Sequence, residues 1–401
     1  MSATKIILQA RGKEDSYLTK DSNHSFFKAS TRNYTYFSQN WNIIYPTKDY
    51  KFNNVGCTVM RLPLEGDLIS KMALRLNVKD PSISTDASGK LHALALLESV
   101  TFKYNNQIIS TLDYNYIALH HKLHSSNDEY KQFLDMTSLT PESGDNEFTN
   151  INQDATANTL FIPLPFWFTQ NPGSSFPIWL LNKPQLVVEI KLRDNTTTVK
   201  NLDLLVQYTN LTSEEKDVFT NSSLEYLIEQ AEIVNKVDFV AKTRVKVDVP
   251  RTKFVKYMIW NVLDTNATNN LYSNKCIEKS TLLLNGNPII SRTDKQQTTL
   301  INRFNYFKTP YVSSRNLFRN NSGTDVYSKY SDTNDLNIHS HVFCLDPSKF
   351  QSSGFLTTDK YNNFTLEIET LNVPKSGTLH TYLIKHNVLR FQNGVLNLLH
   401  N

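Results

Sequence analysis

Residues 98–110 carry the sequence ESVTFKYNNQIIS, in which two strand-like runs flank an Asn-Asn pair. Residues 279–291, KSTLLLNGNPIIS, repeat this pattern around an Asn-Gly pair. Both pairs tolerate the positive φ that tight hairpin turns require. Each stretch is therefore predicted to form an antiparallel hairpin.

Strand-like segments that surround the first hairpin recur around the second in the same order. The recurring pairs are ALRLNV (73–78) with YMIWNV (257–262), TLFIPLPFWF (159–168) with HVFCLDPSKF (341–350), and QLVVEIKL (185–192) with NFTLEIET (363–370). The offsets are 184 for Asn77 with Asn261, 181 for Ser110 with Ser291, 182 for Phe161 with Phe343, and 178 for Glu189 with Glu367. Such similar spacing indicates two tandem copies of one all-β domain.

Apolar residues alternate with polar ones in several of these segments, which is the period of a strand with one buried face. We expect the following side chains to point into a core: Leu186, Val188, Ile190 and Leu192; Val245, Val247 and Val249; Phe364, Leu366 and Ile368.

The length of 401 residues fits two domains, because it exceeds what one hydrophobic core usually serves. The formal charge of +4 is too small for a dedicated nucleic-acid binder. We therefore expect no direct contact with nucleic acid.

The three cysteines, Cys57, Cys276 and Cys344, show no CxxC spacing. They are predicted to be buried free thiols, and a reducing compartment follows from that prediction. The opening MSATKIILQARGKED contains only a short apolar stretch, so no secretory signal is expected.

Residues 155–182 lack charged side chains and resemble a membrane span in hydropathy. The segment contains four prolines, which a lipid-embedded helix would not tolerate. We predict two short strands joined by a turn at QNPGSS.

Thr212 and Glu215 form a capping-box pattern, which predicts a helical connection between the two domains. The predicted organisation is an amino-terminal arm at 1–24, a first domain at 25–210, a connecting helix or linker at 211–234, and a second domain at 235–401. Surface loops are predicted at four polar stretches: 80–93, 125–158, 264–277 and 309–337.

Six blocks in a fixed order resemble the major capsid proteins of the nucleocytoplasmic large DNA viruses. They are GKEDSYLTKDSNHSFFKASTRNYTYFSQ (12–39), LPLEGDLISKMALRL (62–76), LFIPLPFWFTQNPGSSFPIWLLNKPQLVVEIKL (160–192), VQYTNLTSEEKDVFTNSSLEYLIEQ (206–230), LLLNGNPIISRTDKQQTTLINRFNYF (282–307) and HSHVFCLDPSKFQSSGFLTTDKYNNFTLEI (339–368). The resemblance implies an all-β fold of two tandem eight-stranded antiparallel jelly rolls, a double jelly roll, with a short helical connection.

The same resemblance implies a function. Such proteins form homotrimers that act as pseudo-hexagonal capsomers and tile the icosahedral shell of a double-stranded DNA virus over an inner membrane. The implied partners are neighbouring capsomers and minor capsid or cement proteins. The implied location is the virion, after assembly in the host cytoplasm.

The predicted amino-terminal region is basic. Its cationic residues are Lys5, Arg11, Lys13, Lys20, Lys28 and Arg32. Two hypotheses remain open for this region: contact with anionic lipid or cement proteins, or a solvated arm without such contacts.

Histidines are the strongest candidates for a chemical site. His120, His121 and His124 lie in one helix-like stretch, and His339 and His341 would share a strand face. No HExxH, GxSxG, GxGxxG or Gly-Lys-Ser/Thr phosphate loop accompanies them. We therefore predict no catalytic, cofactor-binding or metal-binding residues, no cofactor, and no enzyme activity.

Two alternatives remain at the level of sequence. One is a minor capsid or assembly-scaffold protein with the same double jelly roll. The other is a carbohydrate-binding or glycoside-active β-sandwich, because aromatic residues are abundant and serve as sugar platforms.

Overall fold

The computed structural model describes most of the chain. The described residues are 3, 12–14, 16–22, 25–29, 31, 33–46, 57–78, 92–137, 153–154, 157–182, 185–193, 199–220, 224–239, 244–263, 276–307, 338–370, 377–392 and 394–400. Two compact units are present, Met1–Tyr36 and Phe37–Asn401. In the first unit, Ser16–Thr19 forms helix α1, and the Ser16 hydroxyl donates a hydrogen bond of 2.6 Å to the Lys13 carbonyl.

The first half of the larger unit contains ten strands in its described residues. They are β1 (Phe37–Ile44), β2 (Cys57–Arg61), β3 (Leu68–Val78), β4 (Leu97–Tyr104), β5 (Gln107–Asp113), β6 (Gln153–Asp154), β7 (Ala157–Pro163), β8 (Phe176–Pro177), β9 (Leu186–Leu192) and β10 (Val199–Leu211). One sheet has the order β1-β10-β3-β7-β6, with β8 beside β3, and the other has the order β2-β9-β4-β5. All the pairings are antiparallel.

The second half also contains ten strands in its described residues. They are β11 (Leu224–Ile233), β12 (Val237–Phe239), β13 (Arg244–Asp248), β14 (Val255–Leu263), β15 (Ile277–Leu284), β16 (Asn287–Asp294), β17 (His339–Val342), β18 (Phe364–Thr370), β19 (Gly377–Gln392) and β20 (Val395–Leu398). Their sheets have the orders β11-β19-β14-β17 and β13-β18-β15-β16, with β12 and β20 beside β19.

Eight strands of each half correspond one to one in sheet order. The sheet β1-β10-β3-β7 matches β11-β19-β14-β17, and β2-β9-β4-β5 matches β13-β18-β15-β16. Two antiparallel four-stranded sheets with crossed connections form a jelly roll. The chain is therefore a double jelly roll, as the repeated segments predict.

Short helices connect these strands. They are α2 (His92–Leu96), α3 (Tyr114–His124), α4 (Asn127–Thr137), α5 (Trp167–Gln170), α6 (Ser213–Thr220) and α7 (Asn302–Tyr306), with a 3₁₀ turn at Pro172–Ser174 and a π-helical turn at Gln297–Ile301.

Burial follows the predicted alternation. The ten apolar side chains predicted from the alternating pattern are all buried. Both hairpin turns have positive φ, 44° and 72° at Asn105 and Asn106, and 51° and 78° at Asn285 and Gly286. These values are those of a type I′ turn, whose twist matches the flanking strands. Both hairpin predictions are confirmed.

The proline-rich segment lies inside the first jelly roll. It contributes β7, α5, the 3₁₀ turn and β8. Helix α5 replaces the end of the first predicted strand, and the 3₁₀ turn lies within the predicted turn QNPGSS. Phe166, Trp167, Phe168 and Phe176 surround Phe102 in the core, with ring centroids 5.4–5.8 Å from that ring. These aromatic side chains fill the core rather than form a sugar platform. No helix in the described residues is long and apolar enough to cross a membrane.

Several sequence expectations differ from the structure. Among the described residues of the predicted connection 211–234, Ser213–Thr220 is helical. Leu224–Ile233 forms β11, because it pairs with β19 along its whole length. Helix α4 occupies part of the loop predicted at 125–158. Cys57 is exposed at the edge of a sheet, while Cys276 and Cys344 are buried as predicted. The other predicted loops lie largely outside the described residues.

Candidate functional site at the seam between the two jelly rolls

Helix α3 of the first jelly roll packs against the outer face of β14 and β19 in the second. We call this contact the seam. Tyr257, Ile259, Tyr382 and Ile384 on that face belong to the hydrophobic cluster of the first jelly roll and are at most 1% exposed. The opposite face of β14 belongs to the second core. Strand β14 is therefore buried on both sides, which explains the four consecutive apolar residues YMIW at 257–260.

A network of polar side chains occupies the centre of the seam. Asn115 of α3 and Asn261 of β14 exchange amide hydrogen bonds of 2.9 and 3.2 Å. The Asn115 amide also donates to the Tyr382 hydroxyl at 3.0 Å, and that hydroxyl donates to the Asp113 carboxylate at 2.9 Å. Because these groups are buried, each must keep its partner, and this requirement favours one orientation of the two jelly rolls.

Asp113 links this network to the start of helix α3. Its carboxylate accepts a hydrogen bond of 2.7 Å from the Tyr116 backbone N–H, as a helix cap does. Burial raises the pKa of Asp113, while Lys236, 3.5 Å away, and the hydrogen bond from Tyr116 act in the opposite direction. One side chain thus caps the helix and anchors it to the second jelly roll.

A buried ion pair lies beside the seam. Lys256 of β14 is fully buried, and its ammonium group contacts the Glu229 carboxylate of β11 and donates to the Lys349 carbonyl at 3.0 Å. Burial raises the pKa of Glu229, and Lys256 opposes this shift. Glu229 also borders a cavity of about 560 Å³ that reaches His120, His124 and the end of β7.

The histidines of helix α3 are part of the seam. His124 Nε2 lies 2.9 Å from the Tyr257 hydroxyl, and His121 Nε2 lies 3.2 Å from the Pro163 carbonyl. Burial lowers the pKa of His121 to about 4, although the Pro163 carbonyl opposes this shift. Burial, with His124, His121 and Lys256 nearby, lowers the pKa of His120. His120 and His121 are therefore neutral at neutral pH. All three side chains pack or form hydrogen bonds within the seam.

The strand histidines point toward the second core. His339 stacks on Trp260 with ring centroids 6.0 Å apart, and its Nδ1 lies 2.8 Å from the Thr298 hydroxyl. His341 meets the edge of Phe343. Across the described residues, no three His, Cys, Asp or Glu side chains come together in a metal-binding arrangement. The polar side chains at the seam form hydrogen bonds with one another, and such an arrangement holds two domains together.

The basic residues of the amino-terminal region are described only in part. Lys13, Lys20 and Lys28 are exposed, whereas Lys5, Arg11 and Arg32 lie outside the described residues. Phe26 and Phe27 are exposed within the first compact unit. That unit extends to Tyr36, beyond the predicted end of the arm at residue 24.

Comparisons with known proteins find viral capsid proteins. A family described as the major capsid protein N-terminus matches residues 25–212. The PBCV-1 virus capsid structure superposes with a TM-score of 0.74 at 17% identity, over 94% of this chain and 100% of that one. The Faustovirus major capsid protein gives 0.68 at 10% identity, over 97% and 96%. The major capsid protein of Pyramimonas orientalis virus is 26% identical over 97% of this chain and 96% of its own length.

This chain is similar in sequence to viral major capsid proteins and has the double jelly-roll fold of their solved structures. The family match covers the first jelly roll, and the structural likeness extends over both.

Sequence reasoning did not find the seam. Asp113 and Tyr382 are 269 residues apart, so no local spacing reveals their contact. The available signal was the run of four apolar residues YMIW at 257–260 in β14, because the corresponding residues 73–76 of β3 include the charged Arg75. Such a run indicates a strand that is covered on both faces.

Proposed function

We propose that three copies of this major capsid protein associate around a threefold axis, and that the trimers tile an icosahedral shell over an inner membrane. As a major capsid protein the chain is a structural component of the virion of a large double-stranded DNA virus, and it is not an enzyme. The observation that supports the trimer is the strand-for-strand match of its two jelly rolls. Three chains supply six similar wedges, which fit a hexagonal lattice position with true threefold symmetry.

Light scattering coupled to size-exclusion chromatography tests this proposal. We expect the purified protein to elute with about three times the chain mass of 46.1 kDa at micromolar concentration. A monomer or dimer over the whole micromolar range would contradict the proposed trimer.

We further propose that the basic amino-terminal region faces the inner membrane or cement proteins. The exposed Lys13, Lys20 and Lys28 support this orientation, because clustered cations bind anionic lipid surfaces. Replacing all three with glutamine should reduce cosedimentation with phosphatidylserine vesicles and leave the melting temperature unchanged. Equal sedimentation of the variant and the wild type would exclude the membrane contact.

We also propose that assembly takes place in the host cytoplasm. The three cysteines form no disulfide, which suits a reducing compartment. Imaging of a fluorescently labelled copy in infected cells would locate the assembly sites, and nuclear foci would contradict this proposal.

A further inference from the structure

The second jelly roll carries a counterpart of helix α3. Asp113 is the last residue of β5 and caps α3. Asp294 lies 181 residues later, at the offset that also relates Ser291 to Ser110, and it is the last residue of β16. The π-helical turn Gln297–Ile301 and helix α7 follow Asp294 directly. We call residues 296–306 the second-lobe helix.

The second-lobe helix exposes the face that α3 buries. Four residues of α3 lie at the seam: Asn115, Tyr116, His120 and His124. Their counterparts at the offset of 181 are Gln296, Gln297, Ile301 and Asn305, and all four are exposed. Ile301 is 52% exposed, and the neighbouring Phe304 is 83% exposed. Large exposed apolar side chains on one helix indicate a surface that binds another protein surface.

The first jelly roll carries a matching open sheet face. Tyr257 and Ile384 pair across β14 and β19 at the seam, and their counterparts Ala73 and Leu205 pair across β3 and β10. The seam pair is fully buried, while Ala73 and Leu205 remain partly exposed. Strand β1 extends this open face with Trp41 and Ile43, which are 52% and 41% exposed.

The polar centre of the seam also has polar counterparts. Gln296 corresponds to Asn115 on the helix side. On the sheet side, Asn77 corresponds to Asn261, and Asp203, which pairs with Arg75 at 2.6 Å, corresponds to Tyr382. If the second-lobe helix packed on this sheet face as α3 packs at the seam, the Gln296 amide would lie beside hydrogen-bonding groups rather than apolar ones.

We infer that the second-lobe helix of one copy docks on the face formed by β1, β10 and β3 of the next copy, and so repeats the seam between chains. This inference rests on the proposed trimer and names its contact surfaces. The two surfaces differ from each other, so the contact is heterologous and closes into a ring. Phe304 and Ile301 enter the partner's face beside Trp41 and Leu205.

Substitution of Phe304 tests the helix side. Phe304→Asp should raise the dissociation constant of the trimer by about 30-fold or more, the effect expected for a buried apolar anchor. Leu345→Asp is the matched control, because Leu345 is 84% exposed in the same jelly roll and lies outside both surfaces. It should leave the trimer intact. Ile301→Asp provides a second variant should Phe304→Asp lower the melting temperature.

Mixing two defective variants tests the pairing of the surfaces. Trp41→Asp damages the sheet side and leaves the helix side intact, and Phe304→Asp does the reverse. At a concentration between the dissociation constants of the wild type and the variants, each variant alone should be monomeric, whereas their mixture should form a dimer through its one intact pair of surfaces. A trimer dissociation constant that is unchanged in Phe304→Asp and Ile301→Asp would overturn the inference and leave the proposed trimer standing. A monomeric wild type would instead refute the proposed function.

Discussion

Replacing Glu229 with glutamine is expected to lower the free energy of unfolding by about 3 to 5 kcal/mol. The substitution removes the charge that faces the Lys256 ammonium group, which is fully buried. An uncompensated buried cation loses its hydration without an attraction to replace it. Urea unfolding followed by circular dichroism at pH 7 measures the loss.

Two comparison variants separate the effect of the buried ion pair from a general sensitivity of the protein to the loss of a carboxylate. Glu98→Gln removes one partner of the exposed Lys191–Glu98 pair and should cost less than about 1 kcal/mol. Glu229→Gln combined with Lys256→Met removes both charges and should recover most of the loss. If Glu229→Gln cost no more than Glu98→Gln, the buried pair would not stabilise the second jelly roll.

Acid is expected to destabilise the protein between about pH 6.5 and 4. Burial lowers the pKa of His339 to about 3, with Arg303 and Lys295 adding to the shift, and the pKa of His380 to about 3, with Lys236 and Arg193 adding to it. The unfolded chain binds protons at these sites near pH 6.5 and the folded chain does not. Stability therefore falls as the pH falls, by about 1.4 kcal/mol per pH unit for each such histidine.

Two buried carboxylates act against this trend. The raised pKa values of Asp113 and Glu229 mean that these groups take up protons more readily in the folded chain than in the unfolded one. Urea unfolding at pH 7, 6 and 5, at one fixed protein concentration, should show a net decrease with falling pH. A constant or rising free energy of unfolding would contradict the prediction that the buried histidines outweigh these carboxylates.

The fold was largely predictable because it depends on patterns that a sequence displays directly. The alternation of Leu186, Val188 and Ile190 predicts one buried face, and the Asn-Gly pair at 285–286 predicts a hairpin. The repeat offsets predict the tandem arrangement, which the matching sheet orders confirm.

Local patterns failed where long-range contacts override them. The capping box at Thr212 correctly marks a helix, but the following residues join a sheet because β19 offers a strand partner. The network of Asp113, Asn115, Asn261 and Tyr382 joins residues that share no local pattern. The sequence does not show whether the histidines of α3 are buried or exposed, because a helix can carry buried and surface imidazoles with the same spacing.

Electron microscopy of the soluble particle, at a resolution that separates individual β-barrels, tests the central claim most directly. That claim is that the seam fixes two jelly rolls in each chain so that three chains present six wedges. The account predicts six barrel-shaped densities around a threefold axis, with two kinds of barrel alternating. Particles with only two barrels, or with two barrels at variable orientations in each chain, would contradict it.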